Sequence, residues 1–183
     1  MGCSSNKEQR LNVEAIYTQK NLPLPDQNLY ENSFEKEAFM TINLFRHEPK
    51  LFIPLIREVK SKWLRLRLRI NQFWFIDNKL YKGKNWAKLI KEIEKIEGPF
   101  ALLKIDQEAF QACRQNNDAA VADESQMPKQ GGNLDKLRMI VGDQRMPSAE
   151  EFTMVQWDGT AHELIVFNLL EEYEKTGKPS LMD

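Results

Sequence analysis

The chain has 183 residues, 42% of them hydrophobic and 29% charged, with a formal net charge of -1. That is an ordinary composition for one globular domain with a real core, and the near-neutral balance gives no global pull towards nucleic acid. Two cysteines, Cys3 and Cys113, cannot form a disulfide framework of the secreted kind, and no run is long enough to cross a bilayer.

No positively charged stretch followed by an apolar one marks a signal peptide, so the expected location is intracellular, on the cytoplasmic side. No internal repeat stands out. The first short motif is Met1-Gly2-Cys3-Ser4-Ser5-Asn6-Lys7. N-myristoylation needs Gly2 exposed by removal of Met1, followed by small residues, and prefers Ser or Thr where this chain has Asn6. Cys3 adjoins that position and could take a palmitoyl chain. Gly2 and Cys3 are therefore the expected lipidation sites; the plain alternative is an unmodified polar tail. One myristoyl chain alone binds membranes only marginally, and a second chain or a basic patch makes the attachment stable.

Glu8 to Leu29 is polar, with Pro23 and Pro25 breaking any long helix. Leu11, Val13, Ile16 and Tyr17 could form a short amphipathic turn. Residues 1–31 are read as an arm that lies on the domain or spaces it from a membrane. Asn32 is a good helix N-cap, with Glu35 placed as in a capping box. Phe34, Ala38, Ile42 and Phe45 predict the buried face of the helix that follows. Pro49 restricts Glu48 to extended conformations, which ends this helix, and can itself open the next one.

Within the first helix stands Asn43-Leu-Phe-Arg46, followed by Pro49 and the corner Phe52-Ile53-Pro54. This resembles the opening helix of the CAP superfamily (cysteine-rich secretory proteins, antigen 5 and plant pathogenesis-related proteins), in its short, cysteine-poor branch. The resemblance implies an α/β (α+β) fold: a degenerate α-β-α sandwich, helix-rich, with a small incomplete sheet. It would cover residues 32–183.

Arg57, Lys60, Lys62, Arg65, Arg67 and Arg69 are interrupted by one acid, Glu58. Leu64 to Ile70 alternates strictly, so the expectation is helix to about Trp63 and an extended segment after it, with arginines on one face. Phe73-Trp74-Phe75-Ile76 is apolar on both faces and should be covered. The basic run could meet anionic lipid or an acidic protein surface. It could instead be a solvated edge that blocks aggregation. Nucleic acid is the weakest reading, given the net charge.

Asn85 to Gly98 predicts a helix with Trp86, Leu89, Ile90, Ile93 and Ile96 buried, Gly98 in the left-handed position and Pro99 ending it. Asp106 is the expected cap of another helix carrying Ala109, Phe110, Ala112 and Cys113. This order resembles the CAP domain's second stretch, with Ala112-Cys113-Arg114 where that family has alanines and a basic residue. Ser125 to Asn133 is a loop by composition, and Arg138 and Gly142 resemble residues of the cysteine-poor branch. Glu151 would match the family's cavity glutamate, with Phe152 replacing the asparagine. In a rival alignment Phe152 to Trp157 matches a late strand. Thr160 to Glu163 is a capping box for a helix carrying Leu164, Ile165, Phe167, Leu169 and Leu170, which Gly177 and Pro179 end.

The resemblance implies a cavity lined by histidines, sometimes around a divalent metal, and on this alignment the family's final strands are absent, so a truncated domain is expected. His47 and His162 match neither cavity histidine; His162, in a first helical turn, is expected to face solvent. Cys113 reads as a small core residue, and Gly131-Gly132 lacks the rest of a phosphate loop. The sequence therefore predicts no catalytic residue, no metal and no cofactor. It predicts a non-enzymatic interaction or scaffold protein that binds a protein partner or larger assembly and is tethered by its acylated N-terminus. The alternatives are a non-membrane subunit of a large intracellular assembly and a residual lipid-binding or hydrolytic cavity around Glu151.

Overall fold

A computed structural model describes residues 12–30, 32–67, 83–122 and 159–179. The chain divides into two compact units, Met1–Leu102 with Asp158–Asp183, and Leu103–Trp157. The described residues form helices, short turns and irregular segments, with no strand among them. The expected α-β-α sandwich is therefore overturned. Its only described candidate strand, the alternating stretch from Leu64, continues a helix as far as Arg67. Leucine and arginine are both good helix formers, so a helix nucleated upstream propagates through them, and their alternation does not set the backbone. Phe73–Ile76, Glu151, the Ser125–Asn133 loop, Arg138 and Gly142 lie outside the described residues.

In the first unit, α1 (Val13–Gln19) is capped by Asn12, whose side chain accepts from the Ala15 amide. Seven residues are too few for a helix stable by itself. Burial of Val13, Tyr17 and Leu22 supplies the missing stability as α1 packs on α2 (Ser33–His47). Ion pairs join α1 and the residue after it to α2 and its cap, Glu14 with Lys36 at 3.1 Å and Lys20 with Glu48.

α2 begins as its sequence predicts, with the Asn32 side chain accepting from the Glu35 amide. Its buried face differs from the expected stripe. Met40, Thr41, Asn43, Leu44, Phe45 and Arg46 are buried, whereas Phe34 is exposed and Ala38 and Ile42 are half-buried. A single apolar stripe presumes one neighbour, and α2 has two helical ones, α1 and α6 (Ala161–Thr176). Its C-terminal half is therefore covered on more than one side.

Pro49 opens a single 3-10 turn, Pro49–Leu51, that leads into α3 (Phe52–Arg67). Phe52, Leu55, Ile56 and Val59 form the buried stripe of α3, and Phe52 meets Phe45 edge to face with ring centres 5.0 Å apart. α4 (Gly83–Lys95) packs on α3 and α6. It buries Trp86, Leu89 and Ile93, with Ile90 and Ile96 half-buried.

Gly98 does not take the left-handed position expected of it; among the described glycines only Gly177 does. α4 ends at Lys95, and the Gly98–Pro99 peptide is cis. Gly98 instead lies against the corner after α2, where an added Cβ would stand 3.2 Å from Pro49 Cδ. The following residues strap that corner: the Phe100 amide donates to the Arg46 carbonyl at 2.9 Å, and Arg46 Nε donates to the Ala101 carbonyl at 2.7 Å.

α6 carries a complete capping box at Thr160 and Glu163, and ends at Gly177 with φ of 73°. It packs on α2, α3 and α4. Phe167 meets Trp86 edge to face at 5.9 Å. Nothing lies within 4 Å of where a Gly177 Cβ would be, so Gly177→Ala should lose only the backbone preference. That is about 1–2 kcal/mol, measurable by urea unfolding; no change would mean that the left-handed cap is absent in solution.

In the second unit, α5 (Gln107–Ala122) starts where Asp106 Oδ1 accepts from the Glu108 amide at 3.1 Å. Ala112 is buried, Cys113 is half-buried, and the Arg114 guanidinium lies 5.1 Å from the centre of the Phe110 ring.

Candidate functional site

The residues singled out by sequence divide into three sets. Gly2, Cys3, Arg69 and Glu151 lie outside the described residues. Asn43 and Arg46 are core residues of α2. Arg57, Lys60, Lys62, Arg65 and Arg67 all belong to the one helix α3.

The Asn43–Arg46 pair has local structural duties. The Arg46 side chain ties α2 to the strap that follows α4, as described above. Asn43 is 1% exposed and stands beside the Tyr17 hydroxyl. Burial raises the Tyr17 pKa, and the Asn43 side chain offsets part of that rise. Tyr30, stacked at a tilt on Phe39, is pushed up to about 12 by burial and then by Tyr17 and Glu35. The pair thus joins α2 to its neighbours.

α3 turns its apolar stripe inward and leaves Pro54, Arg57, Glu58 and Ser61 exposed, with Lys60 and Lys62 half-buried. Arg65 and Arg67 lie in its last described turn. Lys62 is committed elsewhere. Its ammonium pairs with Glu163 on α6, whose side chain is only 7% exposed.

Around that pair is a polar cluster that sequence reasoning missed. His162 is 6% exposed, not solvent-facing. Its Nδ1 lies 2.9 Å from Glu37 Oε1 on α2, and its Nε2 lies 3.0 Å from Thr160 Oγ1. An ionised carboxylate can only accept, so in the neutral ring Nδ1 carries the proton and Nε2 accepts from the Thr160 hydroxyl. The same Thr160 oxygen accepts from the Glu163 amide at 3.4 Å, while Glu163 Oε2 accepts from the Thr160 amide at 2.9 Å. In an acid, imidazole and hydroxyl in this order, the carboxylate orients the ring and the ring can take the hydroxyl proton. Here the hydroxyl is also the cap of α6, and the arrangement pins the start of that helix to α2 and α3. The available signal was phase: His162, Ile165, Val166 and Leu169 share one helical face, and all four are buried.

Burial raises the Glu163 pKa, but its hydrogen bond to Lys62, the Thr160 amide and the charge of Lys62 together hold it below the usual carboxylate value. A lowered folded-state pKa adds stability above the unfolded pKa, and that stability is lost as pH falls through the folded one. Glu163→Gln should therefore flatten the acid limb of a plot of unfolding free energy against pH. The difference should be of order 1 kcal/mol, given the solvent screening of half-exposed Lys62. Parallel wild-type and variant curves would show that the pair is not formed.

Among the described residues there is no group of three or more His, Cys, Asp or Glu side chains able to hold a metal ion. Among the same residues no helix is long and apolar enough to cross a membrane. No protein-family model, curated protein or solved structure matches the chain.

Proposed function

We propose that this protein is an interaction module held at the cytoplasmic face of a membrane by acylation at Gly2, with Cys3 as a second acyl site, and that α3 docks it on anionic lipid. The observation that carries this reading is that Arg57 is exposed and Lys60 half-buried on α3, whose apolar stripe is buried, with Arg65 and Arg67 further along the same helix. Each cation at an anionic surface contributes about 1 kcal/mol, and a basic patch is what a single acyl chain needs for stable attachment.

The test is flotation of the full chain with vesicles of neutral lipid, with and without phosphatidylserine. Reversing Arg57 and Lys60 to glutamate should abolish the part of binding that depends on the anionic lipid. Unchanged flotation of that variant would remove lipid as the ligand of α3 and leave an acidic protein surface as its partner.

A further inference from the structure

Three contacts gather one end of the first unit. Glu14, in the first turn of α1, pairs with Lys36 near the start of α2 at 3.1 Å. The next residue, Glu37, meets His162 in the first turn of α6 at 2.9 Å. Glu163 in turn pairs with Lys62 of α3. The starts of α1, α2 and α6 therefore lie together. α3 runs towards them, because Phe52 at its start packs on Phe45 near the far end of α2. Arg65 and Arg67 lie roughly 4–8 Å further along its axis than Lys62. Two more features belong to this end. The chain enters the described fold here, at Asn12, so Gly2 is joined to the unit on this side. Phe34, in the first turn of α2, is 36% exposed. The acids Glu14, Glu37 and Glu163 are each engaged within the unit.

We propose that this end of the first unit rests on the membrane, with the Phe34 ring in the boundary between headgroups and acyl chains, beside the last described turn of α3. The inference rests on the reading that the acylated protein docks on lipid, and it states which way round the unit lies. A tether raises the effective concentration of its second contact most where the linker spans easily, and that is the end at which the linker arrives. An aromatic ring on the apolar side of an interfacial contact is buried with gain. Phe34 thus supplies a contribution that does not depend on lipid charge, whereas the contribution of the α3 cations does.

The experiment is flotation of the full chain, isolated from its own cells, with vesicles of neutral lipid, with and without phosphatidylserine. Phe34→Ser should weaken binding about threefold on both kinds of vesicle, since only the exposed part of the ring is left for lipid to cover. Phe34→Trp should tighten binding on both, because tryptophan favours the membrane interface. Leu24 is the comparison. It is more exposed, at 52%, but its segment leaves α1 at the other end, where Lys20 pairs with Glu48. Leu24→Ser should leave binding unchanged. A thermal melt restricts the assay to folded protein, and Phe34→Trp decides alone should Phe34→Ser fail to fold. The orientation is overturned if Phe34→Ser binds as wild type, if Phe34→Trp does not bind more tightly, or if Leu24→Ser weakens binding as much as Phe34→Ser. The docking reading then still stands where reversal of Arg57 and Lys60 abolishes the part of binding that depends on phosphatidylserine. If the wild-type chain floats with neither kind of vesicle, both are overturned.

Discussion

Gly2→Ala should move the protein from the membrane fraction of its own cells to the soluble fraction. The N-terminal acyl chain requires a glycine amine, and alanine's methyl group denies it. A myristoyl chain alone gives a membrane association constant on the order of 10,000 per molar, equivalent to about 5.5 kcal/mol. On the proposed docking, the α3 cations would add about 1 kcal/mol each, and salt would screen them. Losing the chain therefore removes the largest single term, and membrane retention should fall by well over roughly tenfold. Cys3→Ser should fall between wild type and Gly2→Ala, since it leaves one chain and the cations in place. Membrane retention of Gly2→Ala at the wild-type level would mean that neither Gly2 nor anything dependent on it holds the protein there.

The second large effect belongs to the core. Trp86 is 2% exposed on α4, and its ring meets Phe167 of α6 at 5.9 Å. Trp86→Ala would leave a cavity between two helices that the chain must bring together from distant positions. Such truncations cost about 3–5 kcal/mol, a large share of the roughly 5–15 kcal/mol that stabilises a domain. The melting temperature should drop by roughly 10 °C. A loss below about 1 kcal/mol would show that the α4–α6 contact contributes little to stability in solution.

Local signals in the sequence were read correctly where one short-range rule acts alone. Asn32 as a cap, Pro49 as a corner, Asp106 as a cap, the Thr160–Glu163 box and Gly177 as a terminator each depend on neighbours within four positions. Errors arose where a distant partner decides. The face of α2 was misplaced because α1 and α6 both cover it, so no single stripe describes its burial. Gly98 was assigned a left-handed cap because Pro99 follows it, but its position is set by Pro49 and the end of α2. The alternating arginines and leucines suggested a strand, but two residue types with good helix propensity cannot override a helix already running through them.

The candidate site was half legible. The cations were visible as a run, and the structure gathers five of them on one helix. The commitment of Lys62 to Glu163 was not visible, because those residues stand far apart in the chain and only the packing of α3 on α6 joins them. The resemblance of Asn43 and Arg46 to a cavity signature carried the expectation of a sheet. In the fold both residues join α2 to its neighbours, one beside Tyr17 and the other to the Ala101 carbonyl.

The most direct test of the tether is the intact N-terminal mass of the protein isolated from its own cells. Loss of Met1 together with the added mass of a fatty acyl group on Gly2 is the predicted result. A terminus that is unmodified, or that carries only an acetyl group, would contradict the tether and leave the cations of α3 without a membrane to dock on.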